Sequence, residues 1–234
     1  MSTALNSSAA RESGPSAYSE PVEPQTGRRH GLTWELVIGY GLLQAALWSE
    51  GELRWVWAAA LALWIIGLTV YHRPALRELG LGWWGFVRSL WAVGLAAAGG
   101  AAMLFGAHLA GTLHPYPLHR TLLAVATGYL FWTFQQQFML QSFFFLRLER
   151  LLGSRKAVWG AAGLFSLAHF PNPVLVPATL AAGIAFCELF RRYRNIYTLA
   201  IAQAILGMCL AASVPDALHH HMHVGIGYLG WGAR

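Results

Sequence analysis

The strongest constraint on this chain is a series of long apolar segments that recurs along most of its length. We count about seven, at residues 33–49, 54–71, 86–110, 120–146, 157–170, 174–190 and 196–213. A helix needs about 20 residues to cross the hydrocarbon core of a bilayer, and only helices and closed barrels satisfy their backbone there. The sequence therefore predicts an all-α polytopic membrane protein with about seven transmembrane helices in a bundle.

The composition points to the same fold class. Hydrophobic residues make up 56% of the chain and charged residues only 11%, against about 25% charged residues in a typical soluble domain. The formal net charge of +6 comes from basic residues in short groups between the apolar segments, so no single basic face is predicted. We therefore expect the lipid bilayer as a partner and no nucleic acid.

The basic groups also predict an orientation in the membrane. They fall on one side if all seven segments cross, because they precede the first segment and follow the second, fourth and sixth. They are Arg28 and Arg29; Arg73 and Arg77; Arg147, Arg150, Arg155 and Lys156; and Arg191, Arg192 and Arg194. By the positive-inside rule, we expect a cytoplasmic N-terminus and an outside C-terminus, most simply in the cytoplasmic membrane of a bacterium.

The chain divides into four regions by composition. Residues 1–31 have no apolar run and are expected to form a disordered tail, and residues 32–115 are expected to form the N-terminal transmembrane helices. A helical core at 116–213 and a His-rich segment at 214–234 follow. Within the core the fifth segment is too short to span comfortably and runs into Pro171-Asn172-Pro173. The fifth and sixth segments are therefore predicted to form a tight helical hairpin.

Polar side chains cluster in the fourth segment. Gln135, Gln136 and Gln137 are consecutive, and Gln141 lies about one helical turn after Gln137. Lipid tails cannot hydrogen-bond, so amides at this depth must face protein or trapped water. One such glutamine would be an ordinary contact between helices. Four within seven residues predict a polar pocket.

Two later segments each carry a polar residue that invites the same question. The fifth segment ends in Phe165-Ser166-Leu167-Ala168-His169, with His169 just before the proline turn. In the seventh segment, Gln203 is the one strongly polar side chain between Thr198 and Ser213. Each of these two residues either bonds locally to backbone or a neighbouring helix, or lines the pocket predicted for the glutamines.

Taken together, these spacings resemble the CPBP family of intramembrane proteases, which includes CAAX prenyl endopeptidases and bacteriocin-processing relatives. The family carries Glu-Glu-x-x-x-Arg, Phe-x-x-x-His and His-x-x-x-Asn on successive helices. Here the first frame runs from Gln136-Gln137 to Gln141, the second is intact from Phe165 to His169, and the third runs from Gln203 to Gly207. The resemblance covers about residues 120–210.

The resemblance implies a peptidase site with amides where the family has ionisable groups. It places Gln136, Gln137, His169 and Gln203 at catalytic positions, and Gln141, Phe165 and Gly207 in the substrate pocket. In the family a glutamate activates water, whereas a glutamine cannot accept a proton near neutral pH. Gln141 also lacks the positive charge of the family arginine, so only His169 remains as a titratable group.

The sequence therefore leaves two functions open. The first is an endopeptidase that hydrolyses a membrane-associated protein or peptide with an altered site. The second is a catalytically inactive relative that binds a peptide, a lipidated tail or a partner helix in the same cavity. A small transporter with an amide-lined path is a more distant alternative.

A second group of chemically active residues lies near the C-terminus. Asp216 and His219 are three residues apart, as are His220 and His223, and His221 lies between them. On a helix this spacing places each pair on one face, and imidazoles and carboxylates are ligands for zinc and other transition metals. We hypothesise a metal or polar site formed by His169 with His219, His220, His221 or His223. The alternative is an interfacial His-rich segment without metal.

Other candidate groups have simpler interpretations. Glu188 precedes Arg191 and Arg192 by three and four residues, which predicts a local ion pair on one helix face. Glu35 is expected at the membrane interface. The two cysteines, Cys187 and Cys209, lie in apolar segments and are expected to be packing residues.

Overall fold

The computed structural model describes residues 25–114 and 122–230, and in these residues it contains helices and no strand. The main helices are α1 (Gln25–Leu47), α2 (Gly51–His72), α3 (Phe86–Ala110), α4 (Leu122–Gln137), α5 (Leu146–Leu152), α6 (Ser154–Leu167), α7 (Leu175–Tyr193) and α8 (Tyr197–Ser213). Two short helices follow, α9 (Asp216–His219) and α10 (Ile226–Leu229). The predicted all-α class is therefore confirmed.

The first helix begins earlier than the sequence suggested. We expected the tail to reach residue 31, but α1 begins at Gln25. The guanidinium of Arg29 donates to the backbone oxygen of Leu151 at 3.1 Å, so the polar start of α1 is tied to the end of α5. The remainder of the predicted tail, residues 1–24, lies outside the described residues.

A continuous helical run through α4, a π-helical segment (Phe138–Phe145) and α5 forms the centre of the bundle. Every residue from Leu140 to Arg147 is buried, so no face of this stretch is left for lipid. Phe143 and Phe144 pack into a cluster with residues of α1 and α2, whereas Phe145 packs with α6, α7 and α8. The wider π turns thus distribute three consecutive aromatic side chains between two sides of the bundle.

Small residues allow the outer helices to approach one another closely. A Cβ added at Gly100 of α3 would lie 2.7 Å from the sulfur of Cys209 on α8, and one at Gly183 of α7 would lie 3.1 Å from the Cα of Ala162 on α6. Association of helices in lipid relies on this type of packing because lipid tails are as apolar as leucine. It explains why α3 pairs with α8 and α6 pairs with α7.

Charged side chains gather at one end of the bundle, which we call the basic end. Glu35 of α1 accepts from Arg147 of α5 at 2.7 Å and lies 2.8 Å from the Nε2 atom of His72, the last residue of α2. Arg194, just after α7, pairs with Glu149 of α5 at 2.6 Å. Glu35 is thus more than an interfacial residue, because its carboxylate joins three helices.

The Glu188 ion pair predicted from the sequence is confirmed. Its carboxylate lies 2.7 Å from the Arg191 guanidinium and 2.6 Å from that of Arg192. The three groups belong to the last turns of α7. They satisfy one another locally, and none of them lines a cavity described below.

Contacts at the opposite end, which we call the roof end, join different elements. The ring of Trp48, after α1, lies 6.4 Å from that of Phe170, after α6. The amide of Gly225 donates to the oxygen of Phe170 at 2.9 Å, and the amide of His114, after α3, donates to the oxygen of Ala212 at 3.1 Å. The described residues that follow α1, α3 and α6 therefore lie at the roof end, whereas the ends of α2 and α7 lie at the basic end.

Two helical stretches of the described residues are long and apolar enough to cross a membrane, Gly51–His72 and Trp83–Ala110. A third is obtained if Tyr197–Ser213 and Asp216–Met222 count as one span, with a bend of 117° between them. The helices and the family described below fit an integral membrane protein. The count of seven crossings and the role of the α6–α7 hairpin in the membrane stay predictions.

Candidate functional site

A cavity of about 290 Å³ lies between α4, α6, α7, α8 and the C-terminal segment. Five residues of the three sequence motifs line it: Gln136, Phe165, His169, Gln203 and Gly207. Most of the remaining wall is apolar and includes Leu175, Phe186 and Leu206. A smaller cavity of about 100 Å³ shares the wall formed by Trp132, Gln136, Phe165, His169 and Val224. The tertiary structure thus brings three separate motifs to one cavity.

Four glutamine side chains form a directional chain of hydrogen bonds that leads to this cavity. The Nε2 group of Gln141 donates to Oε1 of Gln137 at 3.1 Å, and Nε2 of Gln137 donates to Oε1 of Gln203 at 2.6 Å. The Nε2 group of Gln203 then donates to Oε1 of Gln136. The chain leaves the Nε2 group of Gln136 unused, and this donor stands at the cavity wall.

The other end of the chain lies in the protein interior. Gln137 and Gln141 are fully buried and neither lines a cavity. Oε1 of Gln141 has no hydrogen-bond partner among the described residues, and the sulfur of Cys187 lies beside this side chain. Gln141, predicted from the resemblance to belong to the substrate pocket, instead lies behind its wall. Gln135 is exposed and takes no part in the chain.

The spacing of Phe165 and His169 has a simple physical basis. The Nδ1 group of His169 lies 2.7 Å from the backbone oxygen of Phe165, four residues earlier. A carbonyl oxygen can only accept, so the proton of a neutral imidazole must be on Nδ1, and Nε2 keeps a lone pair. The Phe165 ring packs edge-on against the imidazole at 4.8 Å between centroids. One helical turn therefore fixes both the tautomer and the orientation of His169.

Among the described residues, the walls of the two cavities carry few groups that could activate water. Within the described part of the chain, no carboxylate, lysine or arginine contributes to either wall. His169 is the one lining residue there with an imidazole, a side chain that can act as a general base. The arrangement can bind a polar group or hold a water molecule. It offers no carboxylate that could serve as a general base.

Tyr129 is a cavity residue that the sequence interpretation missed. It lies on α4, two turns before Gln136, and lines the 290 Å³ cavity. A Cβ at Gly207 would overlap the Tyr129 hydroxyl, so this phenol fills the space where the family asparagine would begin. The signal was present in the sequence, because Tyr129 and Gln136 are seven residues apart and therefore share a helix face.

Asn172 is a second residue that was missed, and it holds the C-terminal segment over the cavity. Its fully buried side chain donates to the backbone oxygens of His219 at 2.9 Å and His223 at 3.0 Å. Its Oδ1 atom accepts from two backbone amides at the start of α7. We call residues 219–225 the roof segment, because Met222 and Val224 line the cavity from this side.

The structure places the C-terminal histidines differently from the hypothesis. Their ring nitrogens contact the following groups: His219 contacts Val214 and Met222, His220 contacts Tyr228, His221 contacts Asp216, and His223 contacts His220. Among the described residues, the one set of three metal-ligating groups with atoms within 4.8 Å of one another is His114, Asp216 and His219. His169 is not a member of this set. It meets the roof segment at the cavity wall instead.

Comparison with known proteins supports the family suggested by the motifs. Residues 117–209 match a family model described as "Type II CAAX prenyl endopeptidase Rce1-like". No curated protein and no solved structure matches the chain. The matched residues contain all five motif positions that line the cavity, and they leave out α1 to α3 and the roof segment. Over residues 117–209 the chain is therefore similar to the type II CAAX prenyl endopeptidases, in agreement with the resemblance of its motifs to the CPBP family.

Proposed function

We propose that this protein is a membrane-embedded relative of CAAX-type endopeptidases that binds an apolar peptide or a lipidated peptide tail without cleaving it. The observation that carries the proposal is the absence of any carboxylate from the cavity walls in the described part of the chain. The amides at the motif positions bond to one another, and an amide cannot accept a proton from water near neutral pH.

The polar groups that remain suit a peptide bond. Gln136 has an Nε2 donor that the amide chain does not use, and His169 has a lone pair on Nε2. Both residues line the same two cavities. A peptide group needs one donor for its carbonyl oxygen and one acceptor for its N–H. The amide chain strengthens the Gln136 donor, because each hydrogen bond polarises the next one.

The size and lining of the site favour a short apolar ligand. The volume of about 290 Å³ is near the lower limit for ligand pockets, which run from about 300 to 1,000 Å³. It accommodates a peptide group with one or two apolar side chains. A longer chain would extend past the exposed ring of Trp132 or into the adjoining 100 Å³ cavity.

The proposed membrane orientation places this site in the outer half of the bilayer. We propose seven crossings with a cytoplasmic basic end, which agrees with the described helix ends at the roof end and at the basic end. The roof segment then faces the outside, together with the turn that holds Asn172. A ligand would enter from the outer leaflet or from the outer aqueous side.

Binding and cleavage can be measured together on full-length protein in nanodiscs. The probe is a set of apolar and lipidated peptides that carry a photo-crosslinking group, with the products read by mass spectrometry. We expect cross-links to wild type, a strong loss with Gln136→Leu, and no loss with the matched control Gln135→Leu on the exposed face. Intact peptides should be recovered throughout. Cleavage that is lost in His169→Ala would overturn the proposal.

A second candidate function is peptide hydrolysis with His169 as the base. The observation in its favour is the fixed lone pair on Nε2 of His169 beside the Gln136 donor. It predicts a rate that rises with pH as the imidazole loses its proton. Inactive wild type would argue against this second candidate. If Gln136→Glu combined with Gln203→His then cleaves the peptides, the protein is a protease scaffold that has lost its catalytic groups, in agreement with the first proposal.

A further inference from the structure

We propose that His114, Asp216 and His219 bind a divalent transition metal, such as zinc, at the roof end of the bundle. One ligand atom from each residue lies within 4.8 Å of the others. The Oδ1 atom of Asp216 is 3.8 Å from Nε2 of His114 and 3.7 Å from Nε2 of His219. Tetrahedral ligands at about 2.1 Å from zinc are about 3.4 Å apart, so these two distances need to shorten by a few tenths of an ångström, and the two imidazoles start within 4.8 Å of each other.

His114 is already oriented as a metal ligand. Its Nδ1 group lies 3.1 Å from the backbone oxygen of Thr112, which places the proton of the neutral ring there and leaves a lone pair on Nε2. Metal-binding histidines usually donate their other ring N–H to such an acceptor. The hydroxyl of Thr112 donates to the oxygen of Ser213 at 2.9 Å. The loop that carries His114 is therefore fastened to the end of α8, close to Asp216.

His219 must give up two hydrogen bonds to bind the metal through Nε2. Its Nε2 group lies 2.8 Å from the oxygen of Val214, and its Nδ1 atom accepts from the amide of Met222 at 3.2 Å. This pattern places the proton of the neutral ring on Nε2, so metal binding there requires the other tautomer, with the proton on Nδ1. We expect binding to weaken at low pH, since an imidazolium has no lone pair for the metal. His221, 3.0 Å from the same Asp216 oxygen, competes for that carboxylate.

The metal site would act on the roof segment. The amide of Met222 bonds to the same imidazole that supplies the metal ligand, and the side chain of Met222 lines the cavity. His220, His221 and Met222 have φ angles of 46°, 50° and 63°, in a region that disfavours residues with a side chain. Such a conformation persists only where its surroundings fix it. A bound metal would hold His219 but break its bond to the Met222 amide, and so change the constraint on the residues that cover the cavity.

The test uses full-length protein in nanodiscs after removal of metal with a chelator. We expect one equivalent of Co²⁺ to give the visible absorption of a tetrahedral site, and zinc to displace it. His114→Ala and Asp216→Asn should each weaken zinc binding by at least about tenfold, since loss of even an outer partner of a metal ligand has an effect of about that size. His108→Ala is the matched control, because His108 is an exposed residue on the last turn of α3.

Thermal stability provides a readout that does not depend on any activity. Zinc should raise the melting temperature of wild type and of His108→Ala but not that of His114→Ala or Asp216→Asn. Failure to bind one equivalent of metal would overturn the proposal. So would equal affinity in His114→Ala and wild type, and zinc binding that is lost only in His221→Ala or His223→Ala would assign it to the His-rich segment alone. None of these outcomes bears on whether the cavity binds or cleaves a peptide.

Discussion

Gln137→Leu is the most direct test of the amide chain. Gln137 is fully buried, accepts from Gln141 on its own helical run and donates to Gln203 on α8. Leucine has a similar volume but no hydrogen-bonding group, so the substitution removes two bonds without opening a large cavity. The variant therefore isolates the polar contribution of this residue.

The size of the effect follows from the two groups that lose their partner. Side-chain hydrogen bonds in bilayers contribute about 0.6 kcal/mol on average, and Gln203 can recover part of this by bonding to water in the cavity. Gln141 cannot, because it is fully buried and its Oε1 atom already lacks a partner among the described residues. An unpaired buried polar group costs about 1–3 kcal/mol. We expect the free energy of unfolding to fall by about 2–3 kcal/mol in total.

Reversible unfolding in bicelles, measured by steric trapping, gives this free energy directly. Gln135→Leu is the matched control, since Gln135 lies on the same helix, is exposed and stands outside the amide chain. We expect a change of less than about 0.5 kcal/mol there. Equal stability of Gln137→Leu and Gln135→Leu would refute the reasoning, because it would mean that the buried chain contributes nothing.

Three further substitutions test other parts of the structure. Gly207→Ala should push the Tyr129 ring into the cavity and so reduce peptide cross-linking. Adding Tyr129→Ala to this variant should restore the cross-linking. Unchanged cross-linking in Gly207→Ala would contradict this expectation. Glu35→Gln should lower the free energy of unfolding by about 3 kcal/mol, because it leaves the buried Arg147 charge without its partner. A loss below about 1 kcal/mol would mean that water already solvates the Glu35–Arg147 ion pair. Asn172→Asp keeps an acceptor for the start of α7 but cannot donate to the roof segment, so hydrogen exchange should speed up in residues 219–225 and stay slow in α7.

The periodicity of the α-helix accounts for the part of the site that could be predicted from the sequence. The intervals from Phe165 to His169 and from Gln203 to Gly207 are each one helical turn, and such spacing fixes which residues share a face. The contact of His169 with the Phe165 carbonyl follows from the helix alone. The same reasoning could not say that Gln141 lies behind the wall, since that depends on the neighbours of the central helical run.

Contacts between distant parts of the chain could not be predicted from sequence patterns. His114 and Asp216 are 102 residues apart in the sequence, and they meet because α3 packs along α8 through the close approach of Gly100 and Cys209. The sequence interpretation accordingly paired the C-terminal histidines with His169. The overlap of Tyr129 with the space beside Gly207 likewise depends on how α4 meets α8.

The sequence by itself determined that this chain forms apolar helices with amides at the positions of a CPBP protease site. The length of a hydrophobic segment and the one-turn spacing of residues are local properties, so they can be determined from the sequence without knowledge of the fold. Only the tertiary structure decided the direction of the amide chain, which ends in the Nε2 donor of Gln136 that the other three glutamines do not use. It also decided that no carboxylate reaches the cavity within the described residues. These properties depend on which helices pack together, because a hydrogen bond between buried side chains forms only where packing brings its donor and acceptor atoms to about 3 Å from each other.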